Sequence, residues 1–223
     1  MKYKAIIFDM DGTIVDTEHI WNASTHKLIR DRGITVTEDL AKELNAKLNG
    51  MALPQSCQII KNIANLSESV EELMQEKSRL ACELYADSGV QFIEGFLEFH
   101  KQVIALNLKV SIATNANDAT LHLTNKMLKL DTFFGNHIYN ISHVNNIGKP
   151  HPAIYLHAAK QLEIDPKDCI AIEDSAHGIS AAKAAGMYCI GINTSRNPEQ
   201  IKEAHLKING YHEIPLVEII KNQ

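Results

Sequence analysis

Two aspartates separated by one residue form the pattern in this sequence that most clearly indicates chemistry. Asp9 and Asp11 lie in residues 8–13 (FDMDGT) and follow the apolar run 5–8 (AIIF). The run is short, β-branched and bounded by a glycine turn, which predicts a buried strand with both carboxylates at its carboxyl end. Because a sheet core solvates a carboxylate poorly, the pair predicts a partner such as a cation. A solvated turn is the alternative, since Asp and Gly are common turn residues.

Further polar residues follow other predicted strands. The strand at residues 110–113 ends in Thr114 and Asn115, and the strand at 169–172 ends in Glu173 and Asp174. In an open parallel sheet, ligands bind beyond the carboxyl ends of the strands, near the point where strand order reverses. Four carboxylates are therefore expected to meet at one edge, where their mutual repulsion calls for a cation.

Oxygen ligands favour Mg²⁺ over zinc or copper, and Mg²⁺ completes its coordination with water and substrate phosphate. Lys149, in the segment 148–150 (GKP), is the expected counter-charge for a phosphoryl oxygen. The four cysteines form no CxxC pair and the eleven histidines form no HExxH pattern, which argues against a zinc site. Cys169 and Cys189 fall within predicted strands and are expected to be structural.

The elements that position these residues can be predicted from periodicity. After the first strand, helical patterns begin near residues 16–18, at Thr37, at Pro54 and at Ser69, where Ser69 and Glu72 form a capping box. The first of these helices is expected to end at Gly33, and the second at Asn49-Gly50. Four successive helices without a strand predict a helical insertion over residues 17–90, packed as a small bundle.

From residue 95 onward, predicted strands and helices alternate. Helices are expected from residue 96 to 106, from Asp118 (as the cap) to about 129, from Pro152 to 162 and from 179 to 185; strands are expected at 110–113, 138–139, 169–172 and 188–192. This alternation predicts an α/β fold with a doubly wound parallel sheet. The predicted domains are a Rossmann-like core of residues 1–16 and 91–223 and an all-α cap of residues 17–90.

Composition narrows the class of partner. The 223 residues are 45% hydrophobic and 22% charged, with a formal net charge of −5 and no basic block, which argues against nucleic acid. The apolar runs are too short to span a membrane, and the four apolar residues after residues 1–4 are too few for a secretory signal. A cytoplasmic protein that is a monomer or weak homodimer, with a small molecule as its partner, is expected.

The chain resembles the haloacid dehalogenase-superfamily phosphohydrolases, in particular the subgroup similar to β-phosphoglucomutase. The four motifs of that superfamily occur in order: residues 9–13 (DMDGT), Thr114, Lys149 and residues 173–174 (ED). The last motif continues through residues 175–179 (SAHGI) much as in the subgroup. The resemblance covers the whole chain and implies a HAD-like core with an inserted helical cap.

The resemblance also implies a mechanism. Asp9 would attack phosphorus to form an aspartyl-phosphate, and Asp11 would act as general acid and then as general base. Thr114 and Lys149 would bind the phosphoryl oxygens. Taken singly, Thr114 could instead cap a turn and Lys149 could be a solvated surface lysine.

The same resemblance implies the metal ligands. Mg²⁺ would be held by the Asp9 side chain, the Asp11 backbone carbonyl and Asp174, with Glu173 behind them. An ordinary loop acid is the alternative for Glu173. Because superfamily members that are dehalogenases or phosphonatases lack an aspartate at the position of Asp11, its presence here favours phosphate esters.

Cap residues are expected to select the leaving group. The loop at residues 49–51 is expected to face the catalytic centre, so that Gly50 contacts substrate together with Asn115 of the core. Trp21 is assigned to the substrate pocket, with a core tryptophan of the cap as the alternative. Lys77 and Arg79 are expected to be solvated helix residues, with contact to substrate as the alternative.

Three functions compete. Mutases of the subgroup carry a histidine at the position of Trp21 and an arginine at that of Leu53, and residues 52–60 contain no Arg or Lys to bind a second phosphate. A phosphatase acting on a small sugar phosphate or nucleotide is therefore favoured over a mutase. A non-catalytic, magnesium-dependent binding protein is the third possibility, which the intact pair of Asp9 and Asp11 disfavours. A phospho-accepting receiver domain is disfavoured by the chain length.

Overall fold

The sheet of this protein is entirely parallel. The computed structural model describes residues 2–48 and 50–221, with the side chains of residues 87 and 88 excepted. The strands are β1 (Ala5–Phe8), β2 (Lys109–Thr114), β3 (Ile138–Asn140), β4 (Cys169–Glu173), β5 (Tyr188–Ile192) and β6 (Leu206–Ile208). Their order across the sheet is β3-β2-β1-β4-β5-β6. Strand order reverses between β1 and β4, and the predicted doubly wound α/β fold is confirmed.

Strand β1 lies inside the sheet, between β2 and β4, and every one of its side chains is apolar and buried. Ile6 and Phe8 point into one core cluster, whereas Ala5 and Ile7 point into the cluster on the opposite face. This alternation is the two-residue repeat of a strand buried on both sides. Phe8 pairs in register with Ile112 of β2 and Ile172 of β4, so the three strands end within two residues of one another.

Ten α-helices accompany the strands among the described residues. They are α1 (Glu18–Arg30), α2 (Glu38–Leu48), α3 (Leu53–Ile63), α4 (Val70–Ser88), α5 (Phe96–Ala105), α6 (Asp118–Leu128), α7 (Asp131–Phe134), α8 (Ala153–Gln161), α9 (Ala176–Ala184) and α10 (Leu216–Lys221). Helix α5 precedes β2, α6 and α7 lie between β2 and β3, α8 and α9 precede β4 and β5, and α10 follows β6. Helices α1 to α4 all fall between β1 and α5.

Helices α1 to α4 enclose an apolar cluster separate from the two clusters of the sheet. Its buried members include Leu28, Leu44, Ile60 and Leu73, one from each helix. Helix α4 begins at the predicted capping box, in which the Glu72 N–H donates to the Ser69 hydroxyl at 3.2 Å. Pro54 lies in the first turn of α3, as expected.

Two adjacent segments connect these helices to the sheet. The Asp16 N–H donates to the Gln91 carbonyl at 2.9 Å, and the Ile93 N–H donates to the Ile14 carbonyl at 2.8 Å. The chain therefore enters and leaves the helical insertion at one place. The division into a core of residues 1–16 and 91–223 and a cap of residues 17–90 stays a prediction, which these contacts and the separate cluster support.

Some predicted details were wrong. Asn117, not Asp118, caps α6, because the Asn117 side chain accepts from the Thr120 N–H. Helix α1 runs to Arg30, three residues short of the predicted end at Gly33. Helix α9 begins at Ala176, after the Ser175 cap, rather than at 179. Strand β6 and helices α7 and α10 were not predicted, since elements of three to six residues give little periodicity. The predicted helix break at Asn49 lies outside the described residues.

None of the described helices combines the length and apolarity needed to cross a bilayer. All four cysteines carry free thiols. Cys169 and Cys189 are buried in the strands where they were expected.

Candidate active site

Three buried carboxylates meet at the point where strand order reverses. Asp9 directly follows β1 and its N–H donates to the Ile172 carbonyl of β4 at 3.0 Å, while Glu173 and Asp174 follow at the end of β4. One oxygen from each of the three carboxylates lies within 4.8 Å of the others. Gly12 leaves room for the Asp174 carboxylate in this cluster, because a Cβ at residue 12 would overlap that carboxylate. The structure thus brings together three of the four acids that the sequence placed at this edge.

Lys149 is the counter-charge of this cluster. Its Nζ donates to Asp9 Oδ1 at 2.5 Å and to Glu173 Oε1 at 2.6 Å, and the lysine is only 3% exposed. The two carboxylates hold the pKa of Lys149 above its usual range. The alternative that Lys149 is a solvated surface lysine is therefore wrong. The alternative that Glu173 is an ordinary loop acid is also wrong, because Glu173 is the last residue of β4 and is fully buried. The Tyr155 hydroxyl also donates to Glu173, at 2.6 Å.

The cluster carries more negative than positive charge. Burial raises the pKa of Asp9 from 3.8 to about 7, against the opposing charge of Lys149. Burial and the neighbouring carboxylates raise the pKa of Asp174 well above its ordinary value. Such perturbed carboxylates in a cleft mark a candidate functional site. Three oxygen donors with surplus negative charge fit a divalent cation, for which oxygen is the preferred ligand.

The carboxylate of Asp11 faces the helical insertion instead of this cluster. Its Oδ1 accepts hydrogen bonds from the Thr17 hydroxyl at 2.6 Å, the Trp21 indole Nε1 at 3.3 Å and the Tyr85 hydroxyl at 3.4 Å. Burial raises the pKa of Asp11 in spite of these donors. The expectation that four carboxylates meet is therefore wrong for this side chain, since three donors hold it toward α1 and α4. The predicted metal contact through the Asp11 backbone carbonyl stays a prediction.

Thr114 and Asn115 line the cavity beside Asp9. The Thr114 hydroxyl accepts from the Ala116 N–H at 3.0 Å, so it caps a turn while facing the site. The Asn115 amide oxygen accepts from the Lys149 N–H at 2.9 Å, and its Nδ2 donates to the Gly50 carbonyl at 3.0 Å. Asn115 consequently joins the segment of Lys149 to the loop between α2 and α3.

That loop lies against the core in this structure. Gly50 adopts a φ of +70°, and a Cβ at this residue would overlap the side chain of Ser175. Gln200 of the core also donates to the Ala46 carbonyl, at 3.2 Å. Gly50 and Met51 line the cavity, whereas Asn49 of the predicted loop lies outside the described residues. The loop therefore contacts residues of the sheet side and borders the same cavity as Asp9 and Asp174.

The helical side of the cavity includes Trp21 of α1 and Lys77 of α4. The expectation that Lys77 is solvated was wrong: the residue is 4% exposed. Its Nζ donates to the Ser56 hydroxyl at 3.3 Å and lies 5.7 Å from the centre of the Trp21 ring. Arg79 is exposed, as expected, and pairs with acidic residues one turn away on α4.

Sequence reasoning missed Tyr85 and underrated Lys77. Both lie on the apolar face of α4, in the helical spacing of Leu73, Leu80 and Ala81, which are buried. A lysine in phase with buried apolar residues is the signal that could have identified this position. No comparable signal marked the Tyr85 hydroxyl, because a tyrosine on such a face is ordinarily core.

Comparisons with known proteins agree with this geometry. A family model described as haloacid dehalogenase-like hydrolase matches residues 6–192. A phosphorylated carbohydrates phosphatase from Thermotoga maritima is 31% identical over 188 residues, which cover 82% of each chain. The β-phosphoglucomutase of Bacillus subtilis is 30% identical over 195 residues, covering 85% of this chain and 83% of that one. A crystal structure of β-phosphoglucomutase from Clostridium difficile is similar with a TM-score of 0.81 at 27% identity, covering 97% of this chain and 95% of that chain.

Proposed function

The chain belongs to the haloacid dehalogenase-like hydrolase family, and from that premise we propose that it is a magnesium-dependent phosphatase of small phosphorylated metabolites. As a member of this family similar to phosphatases, it is an enzyme that acts on phosphorylated compounds. The observation that carries the finer proposal is the buried contact of Lys149 with Asp9 at the end of β1. A nucleophilic carboxylate beside a fixed cation is the arrangement that phosphoryl transfer requires.

In the first chemical step, an Asp9 carboxylate oxygen attacks the phosphorus of the ester. The P–O bond to the leaving group breaks as the new bond to Asp9 forms, which gives an aspartyl-phosphate. Asp11 donates its proton to the departing oxygen, and burial favours that protonated form because it raises the Asp11 pKa. Lys149 and Thr114 stabilise the charge on the phosphoryl oxygens.

In the second step, ionised Asp11 takes a proton from water as the water oxygen attacks the phosphorus. The bond between phosphorus and the Asp9 oxygen breaks, and inorganic phosphate leaves with Asp9 regenerated. The closed loop around Gly50 limits access of bulk water to this intermediate.

The proposed Mg²⁺ ligands are the Asp9 side chain, Asp174 and the Asp11 backbone carbonyl. The ion would offset the charge of the phosphoryl oxygens and of the buried carboxylates. Glu173 is already engaged by Lys149, Tyr155 and the Ser175 hydroxyl, which suits an indirect role in orienting Lys149.

A phosphosugar mutase is the second candidate function. The similarity to two β-phosphoglucomutases supports it. Residues 52–60 contain no Arg or Lys for a second phosphate, but Lys77 supplies a cation to the same cavity. Trp21 and Leu53, which replace the histidine and arginine expected of such mutases, favour the phosphatase.

Release of phosphate from a panel of phosphorylated metabolites, with and without Mg²⁺, tests the proposal. The wild type is expected to release phosphate only with the metal, and Asp9→Asn is expected to be inactive. Full activity of Asp9→Asn would refute the role of Asp9. A bisphosphate-dependent interconversion of hexose 1- and 6-phosphates would establish the mutase, and an inert wild type that binds Mg²⁺ would establish a binding protein.

A further inference from the structure

Lys77 is a buried cation that the proposed mechanism does not use. It lies on the face of α4 that lines the cavity and is 4% exposed. Its Nζ donates to the Ser56 hydroxyl at 3.3 Å and lies over the Trp21 ring. The Trp21 indole in turn donates to Asp11, so one ring separates the lysine from the proposed general acid.

The charge of Lys77 is not neutralised by the protein. Among the described side chains, Lys149 has two carboxylates within 4.0 Å of its Nζ, whereas Lys77 has none. The adjacent Cys57 is no substitute, because burial raises the pKa of its thiol and keeps it neutral. Burial lowers the pKa of Lys77 to about 8, at which the amine is still protonated near neutral pH.

A buried ammonium without a counter-ion is costly, and proteins rarely keep one without a use. Trp21, Met51, Leu53 and Ser56 supply aromatic, apolar and hydroxyl surface to the cavity. Glu18 and Asp11 also line it, but neither carboxylate lies within 4.0 Å of the Lys77 Nζ. The missing negative charge is therefore expected to arrive with a ligand in the cavity.

We propose that Lys77 binds a second anionic group, carried by the leaving group of the substrate. This inference rests on the proposed phosphatase function and names its substrate class: phosphate monoesters whose alcohol portion carries a carboxylate or another phosphate. Lys149 binds the phosphoryl group at the sheet edge, and Lys77 binds the far end of the molecule on the helical side. The Trp21 ring between them covers the carbon chain that joins the two groups.

Three six-carbon substrates separate the possibilities: sorbitol 6-phosphate, 6-phosphogluconate and sorbitol 1,6-bisphosphate. They place a hydroxyl, a carboxylate or a phosphate at the end remote from the ester. Phosphate release with Mg²⁺ is measured for the wild type, Lys77→Met and Lys77→Arg. Lys42→Met removes an exposed lysine of α2 and serves as the matched control.

The wild type is expected to favour at least one of the two anionic substrates over sorbitol 6-phosphate by about 10- to 100-fold in kcat/KM, as for a charged hydrogen bond. The substrate that is favoured identifies the anion as carboxylate or phosphate. Lys77→Met is expected to abolish the preference, with kcat/KM falling more for the favoured anionic substrate than for sorbitol 6-phosphate. Lys77→Arg and Lys42→Met are expected to keep the preference.

Equal preferences in the wild type and Lys77→Met, with phosphate release intact, would overturn the role of Lys77 alone. No phosphate release from any substrate would instead count against the proposed phosphatase. Ligand binding to the wild type provides an independent measurement should Lys77→Met not fold. With inorganic phosphate occupying the phosphoryl site, gluconate or a sorbitol phosphonate is expected to bind about 10-fold more tightly than sorbitol, and equal binding of all three would overturn the inference.

Discussion

Asp9→Asn is expected to stabilise the metal-free protein while removing its activity. Burial raises the pKa of Asp9 from 3.8 to about 7, so its ionised form is disfavoured in the folded state. At 1.36 kcal/mol for each tenfold change, this rise corresponds to about 4 kcal/mol. This value is an upper limit for the gain in stability of Asp9→Asn. The titration of Asp9 is shared with Asp174, and the variant also loses the ion pair with Lys149.

The sign of the effect depends on pH. Below pH 3.8, Asp9 is protonated in both the folded and the unfolded chain and contributes nothing. Between pH 3.8 and about 7, the unfolded chain releases this proton while the folded chain keeps it, so the free energy of unfolding falls as pH rises. Asparagine has nearly the shape of the protonated acid but does not ionise. The free energy of unfolding of the variant therefore does not fall with pH for this reason. The advantage of Asp9→Asn is therefore expected to be small at pH 5 and largest at pH 8.

Urea unfolding in EDTA at pH 5 and pH 8 measures this difference, with Asp39→Asn on the exposed face of α2 as the control. The control is expected to change stability by less than about 0.5 kcal/mol at either pH. Added Mg²⁺ is expected to stabilise the wild type more than Asp9→Asn, because the ion binds the ionised carboxylate. A variant less stable than the wild type by the same amount at both pH values would refute the reasoning, since Asp9 would then be a net stabilising charge.

Three further outcomes are expected. Lys149→Met leaves two carboxylates buried without their counter-charge, so it is expected to lower the free energy of unfolding by about 3–5 kcal/mol and phosphate release more than about 100-fold; a well-folded, active variant would contradict this. Tyr85→Phe removes one donor to Asp11 and is expected to slow hydrolysis of alkyl phosphates by about 2- to 10-fold but aryl phosphates less, since their leaving groups need no proton; equal slowing would exclude a role through Asp11. Gly50→Val introduces a side chain at φ +70° that would overlap Ser175, so the loop is expected to move away from the sheet side. KM is expected to rise about 5-fold or more without a change in the thermal midpoint, and an unchanged KM would show that the position of the loop is not needed for substrate binding.

The sheet and its edge could be predicted from sequence because their signals are local and consistent. Residues 5–8 are apolar throughout, and a strand buried on both faces must place the following Asp9 at the sheet edge. Thr114, Glu173 and Asp174 fall at that edge for the same reason, because they lie at the ends of β2 and β4. The alternation of strands and helices predicts a parallel sheet. It does not specify the position of β1 between β2 and β4, which the structure shows.

The orientation of individual side chains could not be predicted. Asp11 is one residue past Met10, yet its carboxylate turns away from Asp9 because three donors from α1 and α4 converge on it. Those donors are separated by up to 74 residues in sequence from Asp11. Similarly, the burial of Lys77 results from packing among helices whose mutual arrangement no local pattern specifies.

The two sides of the cavity differ in the kind of interaction they provide. On the sheet side, Asp9, Asp174 and Lys149 are held by strand ends and by one another, so changing any of them alters charge balance and stability together. On the helical side, Trp21 and Lys77 contact the cavity from helices with their own apolar cluster. Substitutions there can change the alcohol that is accepted without disturbing the carboxylates. Asp11 accepts its hydrogen bonds from that same helical side. Trp21 therefore couples the choice of leaving group to the delivery of a proton from Asp11 to that group.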